Sequence, residues 1–239
     1  MRNGLCLAIL LNTSAGALLA DPAFDAQVRE TLLRKPEIIL EVFAVLERQN
    51  DERQRQKDAA LISSVADDLF AEIANVADNS APIVVEFVDY NCAYCRRSEV
   101  EVEQLLASHP SVQLKVVQFP ILGEQSVEVA RLALAAQLIY GEETYQEISR
   151  ALLQGGAPAM QNVDGFLSEM GFDVAELRAG SADPRIDHIL NTTSEIARRL
   201  NITGTPGFVT KTQIHRGFVP ADALTESALR TRKDAVVHE

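Results

Sequence analysis

Two cysteines two residues apart, in Cys92-Ala93-Tyr94-Cys95, are the side chains of this 239-residue chain whose type and spacing most directly allow chemistry. Such a pair can attack a disulfide, hold it as a mixed disulfide and release it. Metals use similar pairs, but a structural zinc site needs four ligands. No second cysteine pair exists, and the four histidines, His109, His188, His215 and His238, are scattered. Haem attachment needs a histidine directly after the second cysteine, where Arg96 stands. Nothing else in the sequence calls for a cofactor. Two sulfurs could still take up copper as soft ligands. A copper-binding protein and a dedicated reductant therefore stand as alternatives to an oxidase or isomerase.

The position of the pair says more than its spacing. Ile83 to Tyr90 reads IVVEFVDY, apolar on both faces, which suits a central strand covered on both sides. Residues 96–108 carry helical spacing, so the cysteines stand where a strand ends and a helix opens. A thiol there faces free backbone N–H groups and the positive end of the helix dipole, which favours thiolate over thiol. Cys92 is the expected nucleophile and Cys95, one turn on, the resolving thiol. Glu86 interrupts the apolar strand on the face of Val84 and Val88. Burial there raises a carboxyl pKa. Two readings follow: proton transfer to and from Cys95, or an ion pair with Lys115 on the next strand. Thr205-Pro206, at the mouth of a later strand, could present the backbone of Thr205 to a passing peptide as an added strand edge. Whether that bond is cis or trans is open at this level. Tyr94, between the cysteines, belongs to the same client-facing set.

The elements that would hold these residues follow from periodicity. Residues 22–57 look helical, with Pro36 in a first-turn position and a stripe of Ile39, Val42, Phe43 and Leu46. Asn50 to Asp58 contains no apolar residue and reads as a solvated helix face or a hinge. Leu61, Val65, Leu69 and Ile73 form a second stripe. A second strand is expected over Leu114 to Phe119, parallel to the first. Gln125 to Leu200 is helical throughout; Val127, Ala130, Leu134 and Leu138 make a stripe closed by Gly141, and Asp183-Pro184 opens a last helix. Strands over Gly207–Thr210 and Gln213–Phe218 and a helix from Ala221 complete an α/β chain with a helical insertion at about 124–200.

Hydrophobic residues make up 47% of the chain and charged residues 23%, enough for a folded core. The formal net charge of −12 argues against nucleic acid and anionic lipid as partners. Residues 1–20 have the form of a secretory signal: Arg2, an apolar run from Leu5 to Leu11, then small residues, with cleavage after Ala17 or Ala20. A buried N-terminal helix is the other reading. Cleavage would take Arg2 and no acid, leaving 21 − 34 = −13, and would remove Cys6. One close pair of cysteines in an oxidising compartment points to chemistry rather than to stapling.

FVDYNCAYC, followed about a hundred residues later by GTPGFV, resembles the DsbA-like branch of the thioredoxin superfamily. The resemblance implies a thioredoxin-like fold with a helical insertion, nucleophilic Cys92, resolving Cys95, a cis-proline loop at Thr205-Pro206 and an acidic residue matching Glu86. Val28 to Gln49 is similar to the leading segment of ScsC-like periplasmic proteins, some of which trimerise and act as isomerases. It implies a periplasmic homotrimer acting on exported cysteine-containing proteins, with a membrane redox partner. The expected organisation is a signal at 1–20, an oligomerisation helix and linker at 21–60, and the catalytic domain at 61–239. One departure is Ala93, where related proteins commonly carry proline, so the redox potential does not carry over.

Overall fold

The computed structural model of the chain describes residues 22–70 and 81–230. The expected signal with Arg2 and Cys6, and also Ile73 and His238, lie outside those residues. The chain separates into two compact units, Met1–Asp51 and Glu52–Glu239. The first contains α1 (Pro22–Arg34) and the opening turns of α2 (Glu37–Leu69). No side chain of α1 is buried, and the buried positions of α2 begin at Asp58. The stripe Ile39, Val42, Phe43 and Leu46 is 41–57% exposed.

In the second unit, β1 (Ile83–Val88) is buried at all six positions, as its two-faced apolar sequence requires. It pairs in parallel with β2 (Gln113–Gln118), placing Glu86 opposite Val116 and Val85 opposite Lys115. The helix between them is α3 (Ala93–Ser108). On its other side β1 pairs antiparallel with β3 (Gly207–Val209), which pairs antiparallel with β4 (Ile214–Arg216), so the order is β2-β1-β3-β4. The C-terminal helix is α9 (Ala221–Leu229).

The insertion holds α4 (Glu124–Tyr140), α5 (Glu142–Gln161), α6 (Val163–Glu169), α7 (Val174–Gly180) and α8 (Pro184–Arg199). Asp183 caps α8 by accepting the Arg185 N–H at 2.8 Å. The stripe expected on α4 is buried at Ala130 and Leu134, with Leu138 packed against the cluster that holds Leu134, and departs only at Val127. Val127 is 37% exposed, while Ala130 and the run Leu132 to Ala136 are buried. Packing against α5, α7 and α8 covers more than one face, and the small alanines allow the close approach. Gly156, at φ +59°, kinks α5 beside Arg96; a Cβ there would lie 3.2 Å from the Arg96 Cδ.

Three apolar clusters cover the sheet. Val88, Tyr90 and both cysteines pack against α4 and α5. Val85 and Phe87 pack on the opposite face against Ile62, Val65, Leu69 and Ile196. Val84 and Phe208 meet Val102, Leu105 and Leu224. Each fully buried large apolar side chain contributes roughly 1.5–3 kcal/mol.

The polar run Asn50 to Asp58 is helical throughout, inside α2. Asp58 is buried and is part of the second unit's structure. Its carboxylate accepts from Gln54 (2.9 Å), from the Ile214 N–H (3.4 Å) and from Arg216 (3.1 Å), tying α2 to the outer strand β4. Removing one member of a buried pair strands the other. Asp58→Ala is therefore expected to cost about 3 kcal/mol, read as a lower midpoint with unchanged slope in urea unfolding.

Candidate active site at the start of the third helix

Cys92 is the N-cap residue of α3, with extended backbone, and Cys95 lies in the first turn. The Cys92 N–H donates to the Asp89 carbonyl at 2.9 Å, closing the turn that brings the chain off β1. Cys92 keeps 7% of its surface and Cys95 none. Tyr94, between them, is 59% exposed. The Thr205–Pro206 bond is cis. The Cys92 thiol donates to the Thr205 carbonyl at 3.2 Å, so the two segments, 113 residues apart, meet at the sulfur.

The two thiols differ sharply. A hydrogen bond from the Cys95 thiol, then the Thr205 side chain and the backbone N–H groups of Cys95 and Tyr94, pull the Cys92 pKa from 9.0 down to about 5, against the opposing effect of burial. Cys95 moves far the other way, because it donates to Cys92 and is buried. Since the largest contribution comes from the Cys95 thiol, Cys95→Ala is expected to raise the Cys92 pKa. Cys95→Ser keeps a donor and should raise it less. Thiolate absorbance near 240 nm, followed against pH in each variant, checks the order.

Glu86 is fully buried, on the face of Val84 and Val88 as its alternation dictates, and neither carboxylate oxygen has a hydrogen-bond partner among the described residues. Burial first, and the Glu99 carboxylate second, raise its pKa well above 4.5. The ion-pair reading with Lys115 does not hold. Lys115 sits opposite Val85, on the other face of the sheet, and donates to the Leu69 carbonyl at 3.2 Å. The groups acting on Cys95 are Cys92, Asp89 and Thr205; Glu86 acts instead on Tyr90 and Tyr145.

Three features escaped the sequence reading. Glu99, one helical turn after Cys95, is 7% exposed and has its pKa raised to about 7 by burial and by Glu103, opposed by Arg150, whose Nε lies 3.6 Å away. The buried spacing Cys95, Ser98, Glu99, Val102, Leu105 on α3 was the available signal. Asp89 is 1% exposed at the end of the strand run. A buried network joins Tyr90 to Ser149 (2.7 Å), with Gln118 donating to Tyr90 (2.7 Å) and Tyr145 (2.8 Å). Its members are 27–59 residues apart, and no local pattern links them.

The profile of the DSBA-like thioredoxin domain matches residues 83–229, more than half of the chain. Among solved structures, the chain is similar to a thioredoxin-like oxidoreductase from Silicibacter pomeroyi DSS-3, with 34% identity over 63% of this chain and 86% of that one, at a TM-score of 0.57. It shares its fold with the thiol-disulfide exchange protein alpha-DsbA2 from Wolbachia pipientis (21% identity, 74% and 96% covered, TM-score 0.64). It does so too with ScsC from Proteus mirabilis (22% identity, 87% and 95% covered, TM-score 0.59). No protein of curated function matches by sequence. With a strand-helix-strand unit carrying the cysteine pair, an inserted helical bundle and a proline loop against the thiol, the chain belongs to the DsbA-like family of thioredoxin-fold thiol–disulfide oxidoreductases.

Proposed function

We propose that this chain exchanges disulfides in exported cysteine-containing proteins, working mainly from its dithiol form as an isomerase. The observation that carries the reading is the acidified Cys92 at the start of α3, with a buried, strongly protonated Cys95 beside it. The Cys92 thiolate attacks one sulfur of a client disulfide. A bond forms between the two sulfurs, the client bond breaks, and its other sulfur leaves as thiolate. In isomerisation a client thiolate then attacks the client half of the mixed disulfide, expelling Cys92, with no net oxidation. In the escape step Cys95 loses its proton and attacks Cys92 Sγ. The Cys92–Cys95 disulfide forms, and the client leaves as a thiol, reduced by two electrons.

Lowering the Cys92 pKa stabilises only the dithiol form, which supplies the thiolate that isomerisation needs; the same stabilisation strengthens the disulfide form as an oxidant, so the redox state in cells decides between the two. Thr205 and Pro206, with exposed Tyr94, are the surface a client backbone would meet. Glu86, kept protonated by burial and by the repulsion of the Glu99 carboxylate, is the group we assign as a proton store for the escape step, reaching Cys95 indirectly because it does not act on that sulfur itself. The exposed stripe on α2 is the surface for self-association, as a trimer by resemblance, and the signal-like residues 1–20 support a periplasmic site of action with a membrane redox partner.

Incubation with a scrambled disulfide protein in a glutathione buffer tests the direction of catalysis. Recovery of native pairing, with the Cys92–Cys95 pair mainly reduced in cells, supports the isomerase. Rapid oxidation of reduced clients without rescue of scrambled ones would make it an oxidase. Light scattering on the full chain tests self-association, and a monomer contradicts it.

A further inference from the structure

Arg97 carries a charge that nothing in the exchange chemistry uses. It stands on α3 three residues after Tyr94 and four after Ala93, so on the helix surface it neighbours the two residues between the cysteines. Like them it is exposed. Its guanidinium carbon lies over the Phe218 ring, 4.6 Å from the ring centre, a stacked cation–π contact. Phe218 belongs to the same end of the sheet as the thiol. Gly207 pairs with both Phe87 and Arg216, so β1 leaves the sheet, β3 enters it and β4 leaves it at one end. Cys92, Thr205-Pro206 and Phe218 lie just beyond those strand ends, where the Cys92 thiol meets the Thr205 carbonyl at 3.2 Å. The helix and the sheet thus bring Arg97 independently to the mouth of the site.

The two adjacent arginines are held differently. Arg96 Nη1 donates to the Tyr90 carbonyl at 3.3 Å. Arg97 has no hydrogen bond or ion pair among the described residues. The acid one turn further along its face, Glu101, is engaged elsewhere: its carboxylate accepts the Ala221 N–H at 2.8 Å at the start of α9. The Cys92 thiolate is stabilised chiefly by Cys95, Thr205 and backbone N–H groups. The Arg97 charge is therefore left for a partner, and the aromatic face that fixes it does not neutralise it. Its sign is opposite to the −12 of the whole chain.

We propose that Arg97, stacked on Phe218, is a specificity determinant that binds a carboxylate of the exchange partner: an aspartate or glutamate flanking the client cysteine bonded to Cys92. The proposal rests on the exchange reading above. A client cysteine joined to Cys92 is tethered at that sulfur, and an extended chain rises about 3.3 Å per residue. A flanking acid therefore reaches the helix surface beside Tyr94. A guanidinium presents paired donors that a carboxylate matches, and it keeps them while stacked on an aromatic face. At physiological salt the Debye length is about 8 Å, so Arg97 acts on the flanking acid while the distant acids of the chain are screened from it.

The test uses the full-length dithiol protein and two peptides, each a homodimer joined through the disulfide of its single cysteine. Aspartates flank the cysteine in one and asparagines in the other. Exchange forms the Cys92–Cys95 disulfide and releases two peptide thiols. The ratio of second-order rate constants, aspartate over asparagine, is compared between variants, so the intrinsic reactivity of each peptide cancels. Arg97→Gln should lower this ratio about fivefold, equivalent to roughly 1 kcal/mol. Arg97→Glu should lower it further, and Arg97→Lys, which keeps the charge, should retain part of it. Phe218→Leu removes the aromatic face and should fall between the wild type and Arg97→Gln. In about 1 M salt, where the Debye length is about 3 Å, the wild type and Arg97→Gln should converge. Arg198→Gln, which takes the same charge from an exposed ion pair on α8, should leave the ratio unchanged. An unchanged ratio in Arg97→Gln, or an equal fall in Arg198→Gln, overturns the proposal alone. So does a loss confined to glutathione disulfide, run as a third substrate, because the carboxylate bound would then be that of a small molecule. A wild type that exchanges with neither peptide overturns the functional reading beneath it.

Discussion

Cys92→Ser is expected to bring disulfide exchange down to the uncatalysed rate, while Cys95→Ser keeps the first attack and loses the release. The asymmetry of the two sulfurs dictates this. Cys92 alone reaches solvent, and its pKa near 5 leaves it almost wholly thiolate at neutral pH. The serine hydroxyl is not ionised in that range and cannot form the sulfur–sulfur bond. Cys95 is buried and held as thiol, so it acts only after the mixed disulfide has formed and its proton has been taken. Cys95→Ser should therefore accumulate a covalent client adduct that a reducing agent releases. Non-reducing gels resolve the two outcomes. Turnover persisting in Cys92→Ser, or adducts forming through Cys95 in that variant, would remove Cys92 from the role.

Glu86→Gln is expected to stabilise the folded chain by about 2 kcal/mol at pH 8, because the amide cannot ionise and so escapes the cost of holding a carboxyl protonated, or charged, in the core. Both Glu86 oxygens lack partners, and its folded-state pKa lies well above the ordinary 4.5. The sign follows directly. The folded protein holds this proton at a pH where the unfolded chain has lost it. Stability from Glu86 is complete below pH 4.5 and is lost as pH rises towards the folded pKa. Glu99, raised to about 7, adds the same trend between 4.5 and about 7. Cys92 opposes it in the dithiol protein, because its lowered pKa adds stability as pH rises from about 5 to 9. In the disulfide form Cys92 and Cys95 no longer titrate, and half-buried His215, whose pKa is lowered from 6.5, adds stability as pH rises to that value, so the difference between wild type and Glu86→Gln is what isolates Glu86. The stability of the disulfide form should fall from pH 4.5 to 8, and Glu86→Gln should flatten most of that fall. If Glu86 also stores the proton of Cys95, the variant should slow release of the mixed disulfide in single turnover while leaving its formation intact. Stabilisation with an unchanged release rate would make Glu86 a structural burden only.

What could be read from the residues, and what could not, divides along sequence separation. The cysteine pair after a doubly apolar strand, the insertion between the strand pairs and the capping of α8 by Asp183-Pro184 are local patterns, and each lies where its pattern places it. The geometry of Thr205-Pro206 against Cys92 joins segments 113 residues apart, so no local pattern shows it and only the family resemblance pointed to it. Asp58 shows a second limit. Composition makes Asn50 to Asp58 uniformly polar, yet one of its members is buried because an edge strand offers it an N–H and an arginine. Asp89 and Glu99 were hidden for a similar reason. A buried acid is marked by its partners, and those of Asp89 come from a loop about thirty residues on. Lys115 failed as a partner for Glu86 because the register moved it by one position, which in a strand is a change of face.

The account rests on Cys92 being the acidic, accessible thiol of the pair. Its most direct test is the rate of iodoacetamide alkylation of the wild-type dithiol protein between pH 3 and pH 10, with the labelled residue identified by mass spectrometry. Labelling at Cys92 alone, with a rate that rises to a plateau through a midpoint near 5, is the expected result. A midpoint near 9, or comparable labelling of Cys95, would contradict it.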